Sequence, residues 1–189
     1  MKKVILAAAL LFSSAGAFAQ NWTLDKAHSN LGFTVTHMML SEVDGKFQDF
    51  DVKMTSNKPD FTDAQIELTA DVSSVNTNQE KRDGHLKSPD FFDASKYPTL
   101  SFKSKSISKV SANKYKLMGD LTMHGVTKPV TLDAVINGPV TNPMNKKTLA
   151  GFKVSGEVKR ADFTVGTVPT AVVSDEIAIR ASGELVKAN

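Results

Sequence analysis

A chain of 189 residues without a single cysteine excludes a disulfide-stapled fold and thiolate zinc sites, so its stability must come from a sizeable core or a closed sheet. Its 23 basic and 20 acidic residues leave a net charge of only +3, scattered along the chain, which gives no reason to expect a nucleic acid partner. The length suits one domain.

The chain opens with Lys2 and Lys3, an apolar run from Val4 to Phe12, and the small-x-small pattern Ala17-Phe18-Ala19. This is the pattern of an export signal cleaved after Ala19, and it predicts a periplasmic protein. The run is shorter than the roughly 20 residues that span a bilayer, so no stable membrane insertion is expected. Residues 1–19 are thus assigned to the signal and 20–189 to a single mature domain, whose basic and acidic residues nearly balance.

Apolar residues recur at every second position along most of the mature chain, as in half-buried strands. After Trp22 to Ala27, the segment Asn30 to Met39 places Leu31, Phe33, Val35 and His37 on one face. Phe47 to Met54 ends with Phe50, Val52 and Met54 together, and Ile66, Leu68, Ala70 and Val72 follow. The segment Asn78 to Tyr97 lacks this alternation and predicts a short helical insertion around residues 79–96. Alternation resumes over Thr99 to Ile107. Further stripes are Tyr115, Leu117, Gly119, Leu121 and Met123, then Val130, Leu132, Ala134 and Ile136, then Phe152, Val154, Gly156 and Val158. Ile177, Ile179 and Leu185 close the chain. Asp44-Gly45, Asn57-Lys58-Pro59, Ala112-Asn113 and Asn137-Gly138-Pro139 read as turns between about eight or nine strands. An antiparallel sheet this long with one apolar face hides that face by closing on itself, and a barrel of about eight strands can hold a ligand. Inward glycines at 119 and 156 would leave room inside.

Four histidines, His28, His37, His85 and His124, show no metal-binding spacing, and no metal is expected. Arg160 shares the parity of Val154 and Val158, so either the strand ends before it or it meets an acid such as Asp162 or an anionic ligand. Lys81 to Ser88 is the densest polar cluster. On a helix, Arg82 and His85 share one face and Asp83 and Lys87 another, which fits a solvated ion-paired helix or a cradle for an anionic head group. No nucleophile elbow or glycine-rich phosphate loop is present in the sequence.

Several segments in order resemble the YceI-like family of periplasmic polyisoprenoid-binding proteins. They are Trp22 to Ser29, Val43 to Phe47, Lys81 to Asp93, Tyr97 to Ser104, Gly119 to Val130 and Arg160 to Phe163. The resemblance implies a lipocalin-like antiparallel barrel around an elongated apolar pocket for a polyisoprenoid, an isoprenoid quinone, an isoprenyl phosphate or another long-chain amphiphile. It implies a binding or carrier protein rather than an enzyme, with the lipid as ligand and no cofactor required. Parity and the matched segments nominate Phe33, Val35, Phe50, Phe91, Phe92, Leu100, Phe102, Leu117, Leu121, Met123 and Val154 for the tail pocket. His37, Arg82, Asp83, His85, Lys87 and Arg160 are the head-group candidates. The alternative is an enzyme acting on such a lipid through His85 and Asp83. Monomer and homodimer are both compatible with the sequence.

Overall fold

A computed structural model describes residues 20–188, and the expected signal lies outside them. Its strands are β1 (Gln20–His37), β2 (Ser41–Phe47), β3 (Phe50–Ser56), β4 (Gln65–Asp71) and β5 (Val75–Asn76), then after helix α1 (Glu80–Lys87) β6 (Thr99–Ser111), β7 (Lys114–Met123), β8 (Val126–Thr141), β9 (Thr148–Lys159) and β10 (Glu176–Lys187). Eight of them close an antiparallel barrel in the order β1-β3-β4-β6-β7-β8-β9-β10, with β10 returning to β1. The remaining two are accessories: β2 takes the place of β3 beside the second half of β1, and β5 pairs with β2. Closure leaves no open edge in the eight-strand circuit, which explains how a chain without disulfides holds its sheet together.

β1 unites two segments that alternation alone separates. Trp22 and Leu24 point inward in its first half, Leu31, Phe33 and Val35 in its second, so the inward parity changes from even to odd. A bulge makes the change. Asp25 pairs with Glu184 and Asn30 with Ser182, so five steps on β1 face two on β10. The surplus of three is odd and therefore turns the side chains over. Asp25 organises the bulge by accepting from the Ala27 N–H at 3.0 Å, while its own carbonyl accepts from Ser29 Oγ at 2.7 Å.

Two expected turns are not turns. Asp44-Gly45 lies in the middle of β2, where the Phe33 ring across the ladder occupies the space a Cβ on residue 45 would need. Glycine there lets an aromatic ring lie flat on the neighbouring backbone. Asn137-Gly138-Pro139 lies within β8 as a bulge against β9. Conversely, Phe47 to Met54 is a hairpin rather than one strand, because β2 ends at Phe47 and β3 starts at Phe50. The inward glycines do not leave room either: Phe102 fills the space beside Gly119, and Leu132 that beside Gly156.

The two ends of the barrel differ. One is plugged by the loop before β4, whose Phe61 is 2% exposed and packs edge-on against Trp22 at 5.5 Å. Tyr115 anchors the same loop by donating to the Asp60 carbonyl at 2.8 Å. The other end is capped by α1 with the turns up to Tyr97, and by the segment from Thr164 to Asp175.

Candidate functional site

The interior holds two apolar spaces in line. The larger, about 370 Å³, lies under the capped end and falls within the 300–1,000 Å³ typical of ligand pockets. The smaller, about 100 Å³, runs deeper toward the Phe61 plug. Leu121 and Ile179 line both and form a waist between them. The period-two stripes put the walls there: Phe33, Val35, Leu100, Met123 and, from the insertion, Phe91 and Phe92 line the larger space. Phe102, Leu117 and Val154 line the smaller. Phe50 is the exception among the nominated tail residues. It is buried in the core but lines neither space, because its end of β3 lies beside the hairpin back to β2.

The polar lining residues concentrate at the capped end, where the larger space has His37, Thr77, Arg82, His85 and Arg160, while the smaller has Arg180 alone. His37, Arg82 and His85 line the larger space and are themselves solvent-exposed, so they mark where it reaches the surface. The helix faces separate as the three- and four-residue spacings predict. Arg82, His85 and Leu86 look toward the cavity, whereas Asp83 and Lys87 line a shallow outer groove with Gln48 and Ser73. This corrects two head-group candidates. Asp83 is buried in a local role, accepting from the Thr77 N–H at 2.8 Å and from Thr77 Oγ1 at 2.5 Å. Lys87 has no approach to the cavity from the opposite face. The pairing of His85 with Asp83 considered for catalysis does not form. His85 instead meets Asp90 at 3.3 Å and stands edge-on to Phe91 at 5.0 Å. Arg82 is oriented by Thr77, giving Nε to its hydroxyl at 2.7 Å and Nη2 to its carbonyl at 2.8 Å. Its Nη1 makes no hydrogen bond among the described residues.

Arg160 is inward, as parity suggests, but its role is different from either expected one. β9 stops at Lys159, and Arg160 begins a 3₁₀ turn through Phe163. Arg160 is 6% exposed, and its guanidinium meets no carboxylate among the described residues. It donates to five main-chain carbonyls of the capping segment: Nε to Ser174, Nη1 to Val165 and Gly166, and Nη2 to Val168 and Val173. A guanidinium has five N–H donors, so none remains for a ligand. Arg160 is the clamp that folds the segment Thr164–Asp175 over the mouth. Val165, Val168, Val172 and Val173 of that segment roof the cavity, and its far end is stitched to β1 by Met38 N–H to the Val172 carbonyl and Ser174 N–H to the Thr36 carbonyl, both 2.9 Å. Alternation could not find this roof. Its one sequence signal is four valines in a stretch broken by Gly166 and Pro169, too irregular for a strand.

The remaining histidines lie apart from the cavity lining. His28, on the β1 bulge, bonds Asp25 at 3.0 Å, and that contact lifts its pKa above the usual imidazole value while drawing Asp25 below the usual carboxylate range. Glu184 brings a third donor atom within 4.8 Å of these two on the outer surface. His124 meets Thr164 Oγ1 at 2.9 Å and the Tyr97 ring edge-on.

Comparison with known proteins agrees with this architecture. The YceI-like domain model matches residues 22–185. The protein YceI of Escherichia coli O157:H7 is 38% identical over 172 residues, covering 88% of this chain and 89% of that one. The crystal structure of the Campylobacter jejuni YceI protein superposes with a TM-score of 0.72 at 34% identity, over 88% of this chain and 98% of the other. A polyisoprenoid binding domain from Saccharophagus degradans shares the fold, with a TM-score of 0.67 at 14% identity over 88% and 98%. With the family model spanning nearly the whole barrel, the chain belongs to the YceI-like family.

Proposed function

We propose that this protein is an exported carrier that holds one long isoprenoid-type tail inside the barrel, with the head group at the Arg82–His85 rim, and that it acts by binding rather than catalysis. The observation that carries the reading is the pair of apolar spaces, joined at Leu121 and Ile179, with polar residues concentrated at one end. An amphiphile with a long tail matches that asymmetry. Each buried methylene contributes about 0.8 kcal/mol, so the tail supplies the affinity, less the cost of ordering it. The rim then selects among heads of equal tail length. The Saccharophagus domain of the same fold, described as polyisoprenoid-binding, supports the choice of a branched isoprenoid over a straight chain. Against catalysis, Thr77 is the sole hydroxyl among the residues lining either space, and it is committed to Asp83 and Arg82.

Mass spectrometry of the organic extract of natively purified protein tests the proposal. An isoprenoid in roughly equimolar amount is expected, and folded protein carrying only straight-chain acyl lipids, or nothing, refutes it. N-terminal sequencing of the exported protein should begin at Gln20.

A further inference from the structure

The turn from β1 to β2 is built from residues that its backbone would not select. Leu40 N–H donates to the His37 carbonyl at 3.0 Å, and the two residues between, Met38 and Met39, have φ of 54° and 57°. Positive φ at both central positions is the type I′ pattern, which favours Asn and Gly. Methionine there is strained, and it is also exposed: Met38 is 50%, Met39 78% and Leu40 88% accessible. Neither local conformation nor burial accounts for three consecutive large apolar side chains at a hairpin tip, and no charged residue lies between His37 and Ser41. The other large apolar side chains that are at least half exposed, Val110, Met118, Val140 and Met144, are not consecutive in the chain, whereas these three are, and a contiguous exposed apolar patch marks a surface that meets another apolar phase.

Its position says which phase. The tip directly follows His37, which lines the cavity where it reaches the surface, and it is bonded through Met38 N–H to the valine roof at Val172. We propose that the Met38-Met39-Leu40 tip is a membrane-contact element that seats the mouth of the barrel on a lipid bilayer, so that a ligand tail passes between bilayer and barrel without crossing bulk water. The inference rests on the carrier reading. The plugged end offers the contrast: Met144 is 92%, Val110 63% and Val140 59% exposed there, but each is separated from the others in the chain, and Met144 sits in a turn with Asn142, Asn145, Lys146 and Lys147.

The absence of cysteine allows a direct test. Met39→Cys and Met144→Cys each take one polarity-sensitive dye, and the purified proteins are mixed with vesicles of phosphatidylethanolamine and phosphatidylglycerol at low and high salt. The dye at 39 should shift to the blue at both salt concentrations, and the dye at 144 should not. In flotation, Met38→Ser/Met39→Ser/Leu40→Ser should bind vesicles about tenfold more weakly or worse, since its apolar anchor is gone. Uptake of detergent-dispersed geranylgeraniol in solution reads the carrier function separately, and should be the same for the triple variant and the parent. Equal shifts at both dyes, a shift lost at high salt, or undiminished flotation of the triple variant overturns the docking element while leaving the carrier reading intact. A dimer by sedimentation that the triple variant dissolves also overturns it, because the tip would then be covered by a second copy. Failure of both proteins to take up geranylgeraniol would count against the carrier reading, whatever the vesicles show.

Discussion

Replacing Arg160 by lysine keeps the charge at the clamp and removes its geometry. A lysine ammonium has three donors, so at least two of the five carbonyls now satisfied by Arg160 would lose their partner. A buried acceptor left unpaired costs about 1–3 kcal/mol, which puts the loss at about 2–6 kcal/mol if the segment stays in place. The segment Thr164–Asp175 is at the surface and can retreat toward water, so the loss should be taken as local opening and lie nearer about 2–4 kcal/mol. Hydrogen exchange reads this residue by residue. The amides of Met38 and Ser174, which close on the segment and on β1, should exchange about thirtyfold faster or more, since each 1.4 kcal/mol is a factor of ten. Amides of β7, on the far wall, should keep their protection. Unchanged exchange at Met38 and Ser174 would refute the clamp. An equal loss in β7 would mean that Arg160 supports the whole barrel rather than its roof.

Three further outcomes follow from the same geometry. Leu121→Phe should narrow the waist, cost about 1–3 kcal/mol through overpacking, and shift the co-purifying lipids toward shorter tails by mass spectrometry; an unchanged length distribution would show that tails do not pass Leu121. Arg82→Ala should weaken an isoprenyl phosphate by about 1–3 kcal/mol and hardly affect a quinone of equal tail length, while Lys87→Ala should affect neither, in paired titrations; a loss with Lys87→Ala would contradict the assigned helix faces. His28→Ala should lose stability in a pH-dependent way. The raised pKa of His28 contributes below the unfolded imidazole value and fades as pH rises through the folded one, and the lowered pKa of Asp25 contributes above the unfolded carboxylate value and fades as pH falls through the folded one. Denaturant melts should therefore separate parent and variant most between about pH 4 and 6.5, and a gap of the same size at pH 8 would refute the pairing.

Much of the barrel was legible because an inward residue every second position is a property of the chain itself. Phe33, Val35, Leu117, Leu121, Met123 and Val154 are where parity puts them. What escaped was set by partners distant in sequence. Gly45 signals a turn by composition, yet Phe33 across the ladder makes it a strand residue. The spacing of Arg82, His85, Asp83 and Lys87 separated the two faces of α1, but with Leu86 as its only large apolar residue the helix gave no sign of which face turns inward. Arg160 carried a correct inward parity and a wrong expected partner. Its acceptors are main-chain atoms, which every residue possesses and no sequence pattern announces.

The bulge in β1 makes the interior of this barrel sensitive to length in a way that substitutions would not reveal. With three surplus residues between Asp25 and Asn30, the two halves of the strand present opposite parities to the same core. Deleting one residue from the stretch 26–29 would make the surplus even. Either Trp22 and Leu24 or Phe33 and Val35 would then have to turn outward, exchanging an apolar wall for Gly32, Thr34 and Thr36 or for Thr23 and Asp25. Deleting two would restore odd parity with a tighter bulge. Chains of this design should therefore tolerate insertions and deletions here in pairs and reject them singly, so that along this strand the count of residues, more than their kind, decides what the cavity is made of.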